Sequence, residues 1–428
     1  MTTGRAILFL AIGQTITWAG VFYLFAALLP RWEVAEGWSR TGLSACFAAA
    51  IAVSALASPA AGRLIDRGHG PALLTGSTLL GALTIGLLPL APLSGSGLAG
   101  FAVLWLVAGL AMAGALYEPC FALITRCLRD GARRAITTVT LVAGFAGTLS
   151  FPAGHFIAEA AGWQAATTAA ALAVALVAAP LTWLGTRHIE TVCKAEKDAA
   201  EASERPTSPA SAPPSAPSTG KPGFLSGWQR RFAAGRWGDP VFALLAVGLA
   251  TIALCHGAVI AHILPLLSER GVSEASAVFA ASCIGPMQVA GRVAMRLAEA
   301  YVTPHWVTCA GFIAMLVAAI SLLAASLNAA AAVIFLGAFV LLQGSGYGVM
   351  SVMRPVRTRE LLGERNFGAI SGALALPYLL AAAAAPFAGA LLWSVGGYDL
   401  MLAAVALCLA AGLALYLRAS GTDRTKAT

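Results

Sequence analysis

Charge is scarce in this chain, and so is anything that would staple a small secreted fold. Only 11% of its 428 residues are Asp, Glu, Lys or Arg, against about a quarter in a typical soluble domain. The eight cysteines, at positions 46, 120, 127, 193, 255, 283, 309 and 408, are scattered, and no two form a CxxC pair. That spacing argues against a disulfide framework or a structural zinc site and leaves the cysteines as small buried hydrophobes. No phosphate loop of the G-x-x-x-x-G-K type is present, so ATP-driven work has no support. No hydrolase, metal or cofactor signature is found either, and the reading is of a protein that is not an enzyme and needs no cofactor.

What the chain has in abundance is apolar sequence, at 59%. A helix needs about 20 apolar residues to cross a hydrocarbon core. Candidate runs are 6–29, 41–61, 72–92, 98–124, 135–158, 164–186, 241–267, 276–298, 306–327, 329–353, 367–393 and 399–417. An all-α integral membrane protein of twelve crossings follows. The first run is longer than the apolar part of a signal peptide and lacks a clear cleavage site. The net charge of +8 is explained by topology rather than by nucleic acid. With the N-terminus in the cytoplasm, the Lys and Arg outside the runs fall on the cytoplasmic side, except Arg31, Arg40 and Arg270. This positive-inside bias puts both termini there and otherwise reflects lipid contact.

The hydrophobic pattern breaks once, at 187–240. Residues 194–204 are charged, and 206–222 are rich in Pro, Ser and Ala, a composition that cannot bury enough apolar surface to fold. The segment reads as a largely disordered cytoplasmic linker. At its end Phe224, Trp228 and Phe232 recur every four residues beside Arg230, Arg231 and Arg236, which suits an amphipathic surface helix over 224–237 or an unstructured basic stretch. The expected organisation is a six-helix bundle over 1–186, the linker, a second six-helix bundle over 241–418 and a cytoplasmic tail at 419–428.

The two bundles echo each other. Ala11-Ile12-Gly13 matches Ala246-Val247-Gly248, and Leu29-Pro30 matches Leu264-Pro265. Ala61-Gly62-Arg63 matches Ala290-Gly291-Arg292, Tyr117 matches Tyr347, Pro152 matches Pro386, and Gly162-Trp163 matches Gly397-Tyr398. Shared order and near-constant offset make this an internal duplication, the plan by which many secondary transporters build a midplane site between two rocking halves.

Between the second and third runs the chain reads AGRLIDRGHG. Gly62, Leu64, Asp66 and Arg67 fit the pattern G-x-L-x-D-R-x-G, with the closing glycine, Gly70, one residue late, and the second half keeps a decayed copy, AGRVAMR. In motif, position and helix number the whole chain resembles the major facilitator superfamily, most of all bacterial members without assigned substrates. Physically, Gly62 would allow a close turn at the helix end. Asp66 and Arg67 would pair across the cytoplasmic seam in one gate state only. The alternative is a turn carrying topological charge. The membrane-embedded arginine and the glycine-proline pattern of many proton antiporters in that family are absent from runs four and five.

Few polar residues lie within the runs. Glu118 is the one acid placed inside a helix, where burial would push its carboxyl toward proton-carrying behaviour. It lies eight residues before Arg126, about 12 Å inside the cytoplasmic end, and a salt bridge there is the plainer reading. Pro119 removes a helix hydrogen bond and frees the Ala115 carbonyl. Gln14 and Trp18 share a face of helix one, and Gln343 and Tyr347 share a face of helix ten. The resemblance places helices one, four, seven and ten around a cavity, so Tyr117 and Tyr347 would face each other across it. His256 sits mid-helix in run seven, suited to proton relay or to packing. His262 lies about 120° around that helix, and His155 near an outer end has no assigned role.

These residues support a secondary transporter of a small, organic solute, driven by protons, working as a monomer in a bacterial inner membrane. An exporter of toxic organic or metalloid compounds, with Cys120, Cys255 and Cys283 as soft ligands, and a non-transporting receptor are the alternatives.

Overall fold

The computed structural model describes residues 1–93, 97–128, 131–203, 238–327, 332–363 and 367–424, and within them the protein is helical with no strand. Twelve helices are numbered in chain order. They are α1 (Thr3–Glu36), α2 (Arg40–Asp66), α3 (Gly70–Leu87), α4 (Gly97–Leu128), α5 (132–161), α6 (163–203), α7 (240–269), α8 (Glu274–Ala298), α9 (Pro304–Leu327), α10 (Ala332–Leu362), α11 (367–395) and α12 (398–424). Side chains of Ser39, Asp239 and Ser273 cap the starts of α2, α7 and α8, supplying acceptors for amides that have no helical partner.

Two apolar helical stretches, Arg134–Ala195 and Ala373–Gly421, run for 62 and 49 residues. At about 1.5 Å per residue each is far longer than a hydrocarbon core of about 30 Å. Each is folded back on itself at a glycine in a conformation that other residues avoid: Gly162 with φ 84° and Gly397 with φ 67°. The Gly162-Trp163 and Gly397-Tyr398 pair recognised as a repeat is thus the outer hairpin of each half. Eight single crossings and these two hairpins make the twelve crossings that the runs predicted.

Packing follows the duplication. In the first half α1 lies on α6, and α2 and α3 lie on α4; in the second, α7 lies on the α11–α12 hairpin, and α8 and α9 lie on α10. The halves meet along α5 with α8 and along α2 with the α11–α12 hairpin. A nest of aromatic rings stiffens the extracellular half of the first bundle. Phe25 stacks on Phe47 at 4.2 Å, with Trp105 edge-on to both and Trp32 against Phe101 at 5.0 Å. The core of the second bundle runs across the junction to take in Ala26, Ala27 and Phe151. Large apolar side chains such as Leu83, Leu176, Phe279 and Leu407 stay exposed on the outside, as a lipid-facing surface requires.

The first bundle does not end at 186. Helix α6 continues to Ser203, because Ile189 and Cys193 are buried against the cytoplasmic part of α4 and Glu190 faces Arg126 at 3.6 Å. Likewise α12 continues past 418 to Arg424. The Pro-Ser-Ala segment 206–222 and the proposed surface helix 224–237 lie outside the described residues.

Candidate functional site

On the first half, three of the expected residues come together. Helix α1 loosens into a π-helical stretch at Trp18–Tyr23, a distortion that recurs at functional sites. It swings Trp18 onto Tyr117 of α4, ring centroids 4.7 Å apart. Helix α4 is broken at Leu116, and the Ala115 carbonyl that Pro119 cannot serve accepts a 2.7 Å hydrogen bond from Gln14 Nε2. Gln14 is fully buried, and among the described residues its Oε1 and the Trp18 indole N–H have no partner. Buried polar atoms normally find one, so this corner holds one unused acceptor and one unused donor.

On the second half, the other three converge. The Gln343 amide of α10 lies 3.2 Å from His256 Nδ1 of α7, and the His256 imidazole stacks on the Tyr347 ring at 3.4 Å with planes 4° apart. The Tyr347 hydroxyl meets that of Tyr378 at 3.3 Å, and the Arg354 guanidinium lies over the Tyr378 ring at 4.1 Å. The chain of polar groups runs from α7 through α10 to α11. Tyr117 stacks on Phe121 at 5.0 Å, and Tyr347 stacks on His256. Tyr23 fills the space between, packed against Phe151 and against the core of the second half.

Glu118 is exposed rather than buried, which corrects the expectation that burial tunes it. It shares a face of α4 with Ala122 and Thr125, opposite the buried Cys120, Leu123, Ile124 and Cys127 that pack toward α2, α3 and α6. Among the described residues it forms no ion pair.

The seam between halves is read along α5 and α8, which run antiparallel. From the cytoplasmic side outward, Arg292 donates to the carbonyls of Thr140 and Gly348, a Cβ at Gly285 would collide with the Gly144 carbonyl, and the Thr148 hydroxyl donates to the Ser282 carbonyl at 2.6 Å. A small gap lined by Tyr23, Gly144, Phe151, Ile284 and Gln288 opens beside it. At the outer end the seam becomes ionic. Arg31 bonds Glu274 at 2.5 Å, and Arg40 bonds Glu33 at 2.8 Å and the Tyr398 hydroxyl at 2.8 Å while lying 4.0 Å over the Trp393 ring. Arg270 bonds Asp399 at 2.6 Å. Of the three cations that break the positive-inside pattern, Arg31 and Arg40 tie the halves at the extracellular end, and Arg270 pairs within the second half.

The gate loop is built differently from the expectation. Gly62 lies within α2 with open space around its Cα, and α2 runs on to Asp66. The turn is made at Gly68, with φ 86°. Asp66 and Arg67 are exposed and pair with no described residue, while Arg126 of α4 donates to the Ile65 carbonyl and faces Glu190 of α6. Arg126 and Glu190 were not singled out in the sequence. His262 is a packing residue, bonded to the Pro386 carbonyl at 2.8 Å. The three thiols considered for metalloid binding are not assembled: among the described residues no three His, Cys, Asp or Glu side chains come close enough to hold a metal ion.

Known proteins match this architecture along its whole length. A bacterial homologue of the human lysosomal transporter Spinster, solved in an inward-facing and occupied conformation, superposes with a TM-score of 0.68 at 16% identity, covering 98% of this chain and 97% of that one. The nucleoside transporter NupG superposes with a TM-score of 0.71 at 9% identity, covering 98% and 99%. At such identities the likeness is one of fold. No functionally curated protein matches the sequence. The model of the Major Facilitator Superfamily matches residues 10–375, and the chain belongs to that family of membrane transporters.

Proposed function

We propose that the protein moves a small organic solute by proton-coupled alternating access, as a monomer in a bacterial inner membrane. The supporting observation is the pair of mid-membrane clusters, Gln14, Trp18 and Tyr117 on one half and His256, Gln343 and Tyr347 on the other. They flank a seam that two rocking halves would open and close. Rings and amides of this kind suit stacking and hydrogen bonding to a flat or partly apolar guest. Arg292 and Arg354 add positive charge on the cytoplasmic side of the clusters, which favours a solute carrying an anionic or acceptor group.

Glu118 is the acid positioned to exchange protons, on the uncovered face of α4. Asp66 and Arg67, with Gly62 in the helix behind them, bias the cytoplasmic gate. The test is Glu118→Gln in vesicles, applied to a compound identified by metabolite profiling. Accumulation driven by a pH gradient should be lost while exchange of the compound persists. Undiminished proton-driven accumulation would remove Glu118 from this role.

A further inference from the structure

We propose that His155 is a proton-binding site that closes the extracellular gate, so that an extracellular proton and closure of the outer end are linked. The inference rests on the alternating-access reading and adds to it a site with no role in the solute clusters. His155 lies near the outer end of α5, its side chain only 7% exposed. Its Nδ1 is 3.1 Å from Glu274 Oε1 of α8, across the junction, and its Nε2 is 3.2 Å from Glu159 Oε2, one turn along its own helix. Both ring nitrogens therefore face carboxylate oxygens. A carboxylate only accepts, and a neutral imidazole has a single N–H. With one proton, one of the two contacts must set a lone pair against an anion; with two, both become charge-assisted hydrogen bonds.

The remaining charge facing the ring is Arg31 of α1, with Nη2 3.4 Å from His155 Nδ1 and 2.5 Å from the same Glu274 oxygen. The four groups are neutral overall when His155 is protonated: two cations, Arg31 and His155, against Glu159 and Glu274. Loss of the proton leaves a net negative charge, lets Arg31 donate to the Nδ1 lone pair at 3.4 Å, and leaves Glu274 joined to the first half through Arg31 alone, a weaker link. Low external pH thus favours the closed outer end, and rising pH loosens it. Binding of an extracellular proton would push a loaded carrier toward occlusion, the step an inward proton symport needs.

The test uses Ala277→Cys. Ala277 is buried on α8, one turn inside Glu274. Its alkylation by a membrane-impermeant maleimide added to intact cells reports outer opening, with the parent protein as control for native thiols. Rates are compared with and without His155→Gln at the same pH, which cancels the reagent's own pH dependence. Glu159 and Glu274 are largely exposed, so their contacts are screened, and an effect of about fivefold is expected. At about pH 5.5, where a histidine is ordinarily charged, the variant should label about fivefold faster; at about pH 8.5 the two should label alike. Glu159→Gln, an exposed change with little risk to folding, should raise the low-pH rate in the same direction. A His155→Gln to His155 ratio that does not vary with pH would overturn the proposal, and so would a ratio that rises with pH. Such a result, with labelling that still responds to energisation of the cells, would leave alternating access standing.

Discussion

Arg40 is the strongest single tie across the extracellular end, and Arg40→Ala should open it. Its bonds to Glu33 stay within the first half and do not distinguish open from closed. The contacts that do are the 2.8 Å bond to the Tyr398 hydroxyl and the 4.0 Å approach to the Trp393 ring. A hydrogen bond from a charged donor contributes about 1.5 kcal/mol net, and a half-buried cation–π contact about 1 kcal/mol. Their loss, about 2.5 kcal/mol, corresponds to roughly a 70-fold shift of the closed-to-open ratio. Maleimide labelling at Ala277→Cys should rise by one to two orders of magnitude if the closed state dominates in the parent. Arg40→Lys keeps the charge but not the fork and should fall in between. Labelling within threefold of the parent for Arg40→Ala would refute the reasoning, because it would show that the guanidinium does not carry the clasp.

Other outcomes follow from the same geometry. Gln14→Leu leaves the Ala115 carbonyl without its donor in a dry environment and should cost about 1–3 kcal/mol, read as a lower melting temperature in detergent. Gly285→Val places side-chain atoms against the Gly144 carbonyl; it should hold the α5–α8 seam apart and abolish transport while the protein still reaches the membrane at parental level. Arg126→Ala strips the Ile65 carbonyl and the buried Glu190 of their partner. It should lower thermal stability by about 1–3 kcal/mol, and Arg126→Ala with Glu190→Gln together should recover part of that loss.

Much of the fold was legible because a membrane imposes length and polarity on every crossing. The twelve runs, the side of the charges and the duplication need only local sequence. So did one detail of the site: Pro119 predicts an orphan carbonyl at Ala115, and Gln14 takes it. Gln14 with Trp18, and Gln343 with Tyr347, share helix faces because they are four apart; their contacts to Tyr117 and His256 come from neighbouring helices. What was missed depends on which faces of distant helices meet. His155 looked idle because Glu274, 119 residues away, decides its role. Arg292 was read as the remnant of a gate loop, although it lies inside the run 276–298, where an ionisable residue is itself a signal of function. Tyr23 gained its place from a π-helical stretch that no periodicity announces. Glu118 was placed in the interior by hydropathy alone, which does not tell the packed face of a helix from the uncovered one. Helix α6 outran its apolar run because Ile189, Glu190 and Cys193 found partners on α4, a tertiary effect.

The central claim, that this protein carries a solute across a membrane, is tested most directly by untargeted metabolite profiling of cells and spent medium. Cells expressing the parent protein, Glu118→Gln or an empty vector would be compared. A compound redistributed by the parent alone is the predicted result: enrichment inside identifies an importer and its solute, and enrichment in the medium identifies an exporter and its solute. The same distribution in all three, in rich and defined media alike, would contradict the claim of transport.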